Sequence, residues 1–168
     1  EIWGEGYGPE VFAGMNRVGG GRYRLYSAQH GWARSDHFIQ TGDGPIRTIV
    51  EGVPAHFQVR FRGGQLFIRT DHEASNFRLV LADPDNPTPE AWSELIPESE
   101  DLLESYQFVG DKIVAIYLHE VENRVRVFEM DGTPVGEVPV PEQSTVSVRG
   151  AGDGKATLTV VGYLTPAT

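Results

Sequence analysis

Short apolar runs rich in Val, Ile, Phe, Tyr and Leu, glycine turns at near-constant spacing, and four such runs per spacing predict an all-β chain. The architecture that fits is a partial β-propeller of about three and a half four-stranded antiparallel blades. Gly21, Gly64, Gly110 and Gly154 mark the repeat, lying 43, 46 and 44 residues apart. A period of that size holding several strands is what a propeller blade requires.

The elements follow in order within each period. An innermost strand comes first, at "VFAGMNRV" (11–18), "AHFQVRF" (55–61), "SYQFVG" (105–110) and "STVSVRG" (144–150). After the glycine turn comes a second, at "RYRLYSA" (22–28), "QLFIRT" (65–70), "KIVAIYL" (112–118) and "KATLTVVGYL" (155–164). A third is read at 36–40, 77–83 and 124–132, and a shorter outer strand at 45–50, 92–97 and 134–140. The blade boundaries are therefore 9–52, 53–98 and 99–141, with a truncated blade over 142–168. Residues 1–8 ("EIWGEG" onward) read as the outer strand of a preceding blade. Pro97 argues against a helix over "PEAWSELIPESEDLLESY", which instead reads as an outer strand followed by an acidic loop.

A closed propeller needs four to eight blades, so a piece of a longer propeller is expected. Its open strand edges would favour association with a second copy. The formal charge of −10 argues against a nucleic-acid binder, because phosphate backbones demand clustered Lys and Arg. Glu98, Glu100, Asp101 and Glu104 form the densest acidic run, expected as a solvated loop. No apolar run reaches membrane-spanning length, and the N-terminus shows no signal-peptide pattern. The absence of cysteine suits a reducing compartment, so a cytoplasmic location is expected, the periplasm being the alternative.

With the blades laid out, the chain resembles the propeller domain of the prolyl oligopeptidase family of serine peptidases. The resemblance rests first on "LFIRTDHEASNFRLVLADPDNPTPEAWSELIPESEDLLES", with its aromatic strand, Arg-Thr-Asp-His, Arg-Leu and Trp followed by Ile-Pro-Glu. "GWARSDHFIQ" (31–40) is similar to the family's Gly-Trp-Ser-Arg-Ser hairpin. "VGDKIVAIYLHEVENRVRVFEMDG" (109–132) resembles a later blade that starts with Gly-Asp-Lys, and "VGYLTPAT" (161–168) resembles the Phe-Thr-Pro ending of the last blade. The resemblance implies the last four of seven blades, with an α/β-hydrolase domain as catalytic partner. It implies a parent that cleaves short peptides after proline with a Ser-Asp-His triad on that domain. The propeller would gate access of those peptides. No Gly-x-Ser-x-Gly elbow occurs among these residues, so no catalytic residue is expected in this chain. The first blade carries "NRVGGGRYRL" where relatives have Ser-x-Asp-Gly-Arg. Gln29 stands where some relatives place an arginine that reaches the bound peptide.

The candidate site residues are Gln29, His30 and Trp32, on a hairpin at one mouth of the ring, where loops carry function. They would face a peptide or the hydrolase domain; the competing reading packs Trp32 between blades. "RTDHEASNFR" places Asp71, His72 and Glu73 side by side, but neighbours on a strand point to opposite faces. Asp71, His72, Asn76 and Arg78 are read as a structural turn, with Asp71 and Asn76 bonding backbone N–H groups. The five histidines, 30, 37, 56, 72 and 119, have no ligand spacing, so no metal and no cofactor are expected. Asp83 and Asp85 in "ADPDNP" suggest a turn more than a calcium loop. The rival to a peptidase propeller is a free-standing β module that binds a peptide or protein. A third option is a related carboxylesterase or an oligopeptidase specific for basic residues.

Overall fold

The computed structural model describes residues 3–4, 6–32, 34–142, 144–152 and 154–162. Three four-stranded antiparallel meanders and one two-stranded sheet make up the described chain. The first sheet comprises β1 (Val11–Val18), β2 (Tyr23–His30), β3 (Arg34–Thr41) and β4 (Ile46–Val50). The second comprises β5 (Phe57–Arg62), β6 (Gln65–Thr70), β7 (Arg78–Ala82) and β8 (Ser93–Ile96). The third holds β9 (Leu102–Val109), β10 (Lys112–His119), β11 (Glu122–Glu129) and β12 (Pro134–Val138), and β13 (Ser144–Gly152) pairs with β14 (Lys155–Gly162). Every strand pairs with its neighbour in sequence, as the blade reading requires. Among the described residues the only helical backbone is two single 3₁₀ turns, Gly19–Gly21 and Pro89–Ala91. None is long or apolar enough to cross a membrane.

Glycine sets the tight connections. Gly63 and Gly64 link β5 to β6 with φ of +57° and +85°, the two positive values a type I′ hairpin turn needs. The chain divides into two compact units, 1–74 with 78–97, and 75–77 with 98–168. In the first unit the facing sides of the first two sheets share a core. Tyr23, Ile39, Ile49 and Val50 meet Phe57, Leu66, Ile68, Val80 and Ala82. Ile39, Leu66 and Ile68 are fully buried (0 % exposed), and burial of such a side chain stabilises by about 1.5–3 kcal/mol. Extra residues bulge from β4 and β8 against their partners, and both, Ile49 and Leu95, are buried. In the second unit Val146 and Val148 of β13 pack on Ile116 and Val125 of the third sheet.

Two expectations are corrected. The outer strand expected over 1–8 falls partly outside the described residues. Those described there, Trp3, Gly4 and Gly6–Gly8, adopt turns and irregular backbone, with Gly4 at a φ of +89° that no strand accommodates. Trp3 instead stacks on the first sheet, its ring 4.9 Å from Tyr26 and 5.9 Å from Phe38. The acidic run is not wholly a solvated loop. β9 begins at Leu102 and draws Glu104 into the strand, while Asp101 is only 4 % exposed. The reason lies far away in sequence, where β10 presents His119 and β11 presents Arg124 and Arg126 to this corner. His119 Nδ1 sits 2.5 Å and Arg124 Nη1 3.6 Å from the Asp101 carboxylate, which also pairs with Arg126. Arg126 in turn lies over the Tyr117 ring at 4.4 Å and donates to Glu137 at 2.9 Å. Burial pushes the Asp101 carboxyl up, but the His119 hydrogen bond and the two guanidinium charges outweigh it and hold the carboxyl below its usual range.

Replacing Asp101 by Asn leaves the Arg124 and Arg126 guanidiniums facing a neutral amide. We expect a loss of about 2–3 kcal/mol in urea unfolding, less than for a fully buried pair because His119 and Arg124 are 38 % and 42 % exposed. A depressed carboxyl stabilises above its unfolded value of 3.8, so the gap between wild type and D101N closes as pH falls through the lower folded value. A second expectation separates strain from collision. A Cβ at Gly63 meets open space, whereas one at Gly110 (φ +58°) meets the Gly154 backbone at 3.0 Å. G63A should cost about 1 kcal/mol from its left-handed backbone, and G110A about 1 kcal/mol more.

Candidate functional site

The β2–β3 hairpin ends the first sheet, and its base is tied down from several sides. Gln29 directs its side-chain amide back onto its own hairpin, donating to Gly31 O at 2.8 Å and Arg34 O at 3.1 Å. Asp36, 1 % exposed, accepts from Arg34 Nε (3.1 Å) and Nη2 (2.8 Å), faces His30 Nε2 at 2.8 Å, and takes the Gly52 N–H at 2.9 Å. Burial raises the Asp36 carboxyl, and the Arg34 and Gly52 hydrogen bonds more than reverse this, keeping it ionised. Tyr7 closes edge-on over the His30 ring at 5.6 Å.

Of the three residues expected to face a ligand, only Trp32 is presented openly. Its side chain is 95 % exposed, so it does not pack between blades. Gln29 spends its amide donor, and His30 its Nε2, on the hairpin and the strand that follows it. The Trp32 carbonyl, in contrast to its indole, is engaged, lying 2.8 Å from His56 Nε2. His56 immediately precedes Phe57, the first residue of β5. Its Nδ1 lies 2.7 Å from Asp71 Oδ2, and its backbone N–H donates to Asp71 Oδ1 at 2.6 Å. The hairpin and the Asp71 turn, separate features in the sequence, thus meet through one imidazole. His37 behaves oppositely: it is largely buried, which pushes its pKa down, and its Nε2 lies 3.0 Å from Phe57 O.

The remaining turn residues do separate work. His72 donates its backbone N–H to Thr70 Oγ1 at 3.0 Å and sets its ring 6.2 Å from Phe57. Arg78 makes long ion pairs to Glu73 (3.6 Å) and Glu94 (3.7 Å). In the second unit Asn76 donates its amide to Ser99 O and Glu100 O at 2.9 and 3.1 Å, and its backbone N–H reaches Glu98 at 2.6 Å. Its side chain therefore caps carbonyls, where an N–H partner was expected. Asp83 closes a turn by accepting from Asp85 N at 2.7 Å. Among the described residues no three His, Asp or Glu side chains gather to hold a metal ion.

A family model described as the prolyl oligopeptidase N-terminal β-propeller domain matches residues 2–168. The chain belongs to the prolyl oligopeptidase propeller family. A prolyl endopeptidase of Elizabethkingia meningoseptica is 29 % identical over 165 residues, 95 % of this chain and 23 % of the relative. One from Elizabethkingia miricola is 28 % identical over 108 residues, 63 % of this chain and 15 % of its own. Among solved structures, a prolyl endopeptidase studied for inter-domain dynamics in catalysis and specificity matches with a TM-score of 0.80 at 24 % identity, over 90 % of this chain and 26 % of that one. Prolyl oligopeptidase B from Galerina marginata matches at 0.79 and 18 % identity, over 92 % and 23 %. These structural likenesses establish the fold. The chain spans about a quarter or less of each relative's length.

His56, Asp36 and Arg34 escaped the sequence reading. The periodic signal marks their neighbours instead: His30, His72 and His119 each fall at the eighth place counted from the start of β2, β6 and β10, and His30 is the partner of Asp36. If Asp36 orders the hairpin, D36A should cost about 2–3 kcal/mol in urea unfolding, because Arg34 and the Gly52 N–H lose their acceptor. The amide signals of Gly31 and Trp32 should broaden or shift in the same variant, while those of β6 stay in place.

Proposed function

We propose that this chain is a non-catalytic part of the propeller of a prolyl oligopeptidase-type serine peptidase. The propeller match over residues 2–168 carries the reading. The partner of such a propeller would be an α/β-hydrolase domain bearing the triad, and its substrates short, flexible, proline-containing peptides. Its work would be exclusion: a ring of blades over a catalytic cavity passes extended peptides and turns away folded proteins. The Trp32 hairpin supplies the contact surface. An exposed indole on a backbone held by Gln29, Asp36 and His56 can stack on a prolyl ring at little ordering cost, since its mount is already fixed. Cytoplasmic residence belongs to the same proposal.

The pure chain should not hydrolyse a proline-containing chromogenic peptide, and measurable turnover would overturn the reading. It should bind a short proline-containing peptide weakly, with W32A reducing affinity about tenfold in a fluorescence or calorimetric titration, the size of effect expected for one aromatic contact. A free-standing β module is the second reading, and the gene separates the two. A reading frame running past Thr168 into a Gly-x-Ser-x-Gly elbow supports the peptidase, and a stop codon supports the module.

A further inference from the structure

Both ring nitrogens of His56 face oxygen atoms that can only accept. Nδ1 lies 2.7 Å from the Asp71 carboxylate and Nε2 lies 2.8 Å from the Trp32 carbonyl. A neutral imidazole offers one N–H and one lone pair, and so satisfies one of these contacts and opposes the other. An imidazolium offers two N–H donors and satisfies both. We propose that His56 is a protonation-dependent latch, which as the imidazolium fastens the Trp32 hairpin to the Asp71 turn and on losing its proton releases that hairpin. The inference rests on the reading of the hairpin as the ligand-facing surface, and it adds how that surface is regulated.

The surroundings agree. The carboxylate of Asp71, from the connection after β6, favours the cation, as does the carbonyl of Trp32 from the β2–β3 hairpin. Arg69 at the end of β6 opposes it, and so does the partial burial of the ring. The Asp71 hydrogen bond is the largest of these effects, and the balance raises the His56 pKa above its ordinary 6.5. Asp71 is the mirror image: burial raises its carboxyl, and the hydrogen bonds from His56 more than offset this and lower it. A raised histidine contributes stability that is complete below the unfolded value of 6.5 and is lost as pH climbs through the higher folded value. The proton leaves from Nε2, because Nδ1–H is held by a full negative charge. A lone pair then confronts the Trp32 carbonyl, and the contact opens. Gln29 and Asp36 keep the base of the hairpin in place, so the release is confined to its tip.

The test is a titration of the ¹⁵N-labelled chain by nuclear magnetic resonance. At pH 6 both His56 ring nitrogens should carry protons, and the amides of Gly31, Trp32 and Arg34 should shift with the same midpoint as the ring, above 6.5. D71N should lower that midpoint by about one unit or more. H56Q, whose amide does not titrate, should abolish the transition at the hairpin and leave the Ile68 and Leu66 methyl signals unchanged. A neutral His56 at pH 6, or hairpin amides that ignore the ring's titration, overturns the latch. Peptide binding keeps the two ideas apart. A latch that titrates while W32A binds peptide normally supports the latch and removes the ligand-facing role. Loss of binding in W32A with hairpin amides that do not follow His56 does the reverse.

Discussion

A four-stranded β-sheet has two faces, and neither strand pairing nor turn chemistry can hide them. The structure depends on how those faces find cover. In the first unit, β3 and β6 give Ile39, Leu66 and Ile68 to one shared layer, and in the second, β13 lays Val146 and Val148 on Ile116 and Val125. Each meander becomes stable through its neighbour, which is the logic of repeat architectures. The short outer strands follow from it. β12 is exposed along its whole length, and Pro134 at its start withholds a backbone donor from the free edge.

Once apolar faces are committed to packing, polar residues do their work at the ends of the sheets. The first and third sheets solve this the same way, with one carboxylate sunk among arginines and a histidine at the end where the second strand finishes. Asp36 gathers Arg34 and His30, and Asp101 gathers His119, Arg124 and Arg126. A buried carboxylate with several partners costs desolvation, but it fixes geometry that loose surface pairs would not. The second sheet departs from this scheme. There the histidine at the matching place, His72, rests near Phe57, and the charged contact is made by His56 and Asp71. This departure creates the junction beneath Trp32.

The strands were legible because alternation and glycine turns are local signals. β1 and β6 coincide with the runs read at 11–18 and 65–70. β9 begins three residues earlier than the run read from 105, since Leu102 and Leu103 were masked by the acidic residues around them. The candidate site was legible only in outline. The hairpin and the Asp71 turn could each be located, but Trp32 and His56 are 24 residues apart and Asp101 and Arg126 are 25 apart. Such pairings depend on the path of the chain in space, which residue spacing does not encode. The misread roles have the same origin. Gln29 and Asn76 both had available carbonyls nearby, and an amide that can donate takes them.

The latch grips Trp32 by its main-chain oxygen, and every residue type has that oxygen. The shape of the hairpin is thus independent of what projects from it. Position 32 works as an interchangeable head on a fixed handle: exchanging the indole for a charge, an amide or a smaller ring alters what the surface recognises without disturbing how it is held. A substitution at this one position can retune preference for a ligand with little penalty in folding.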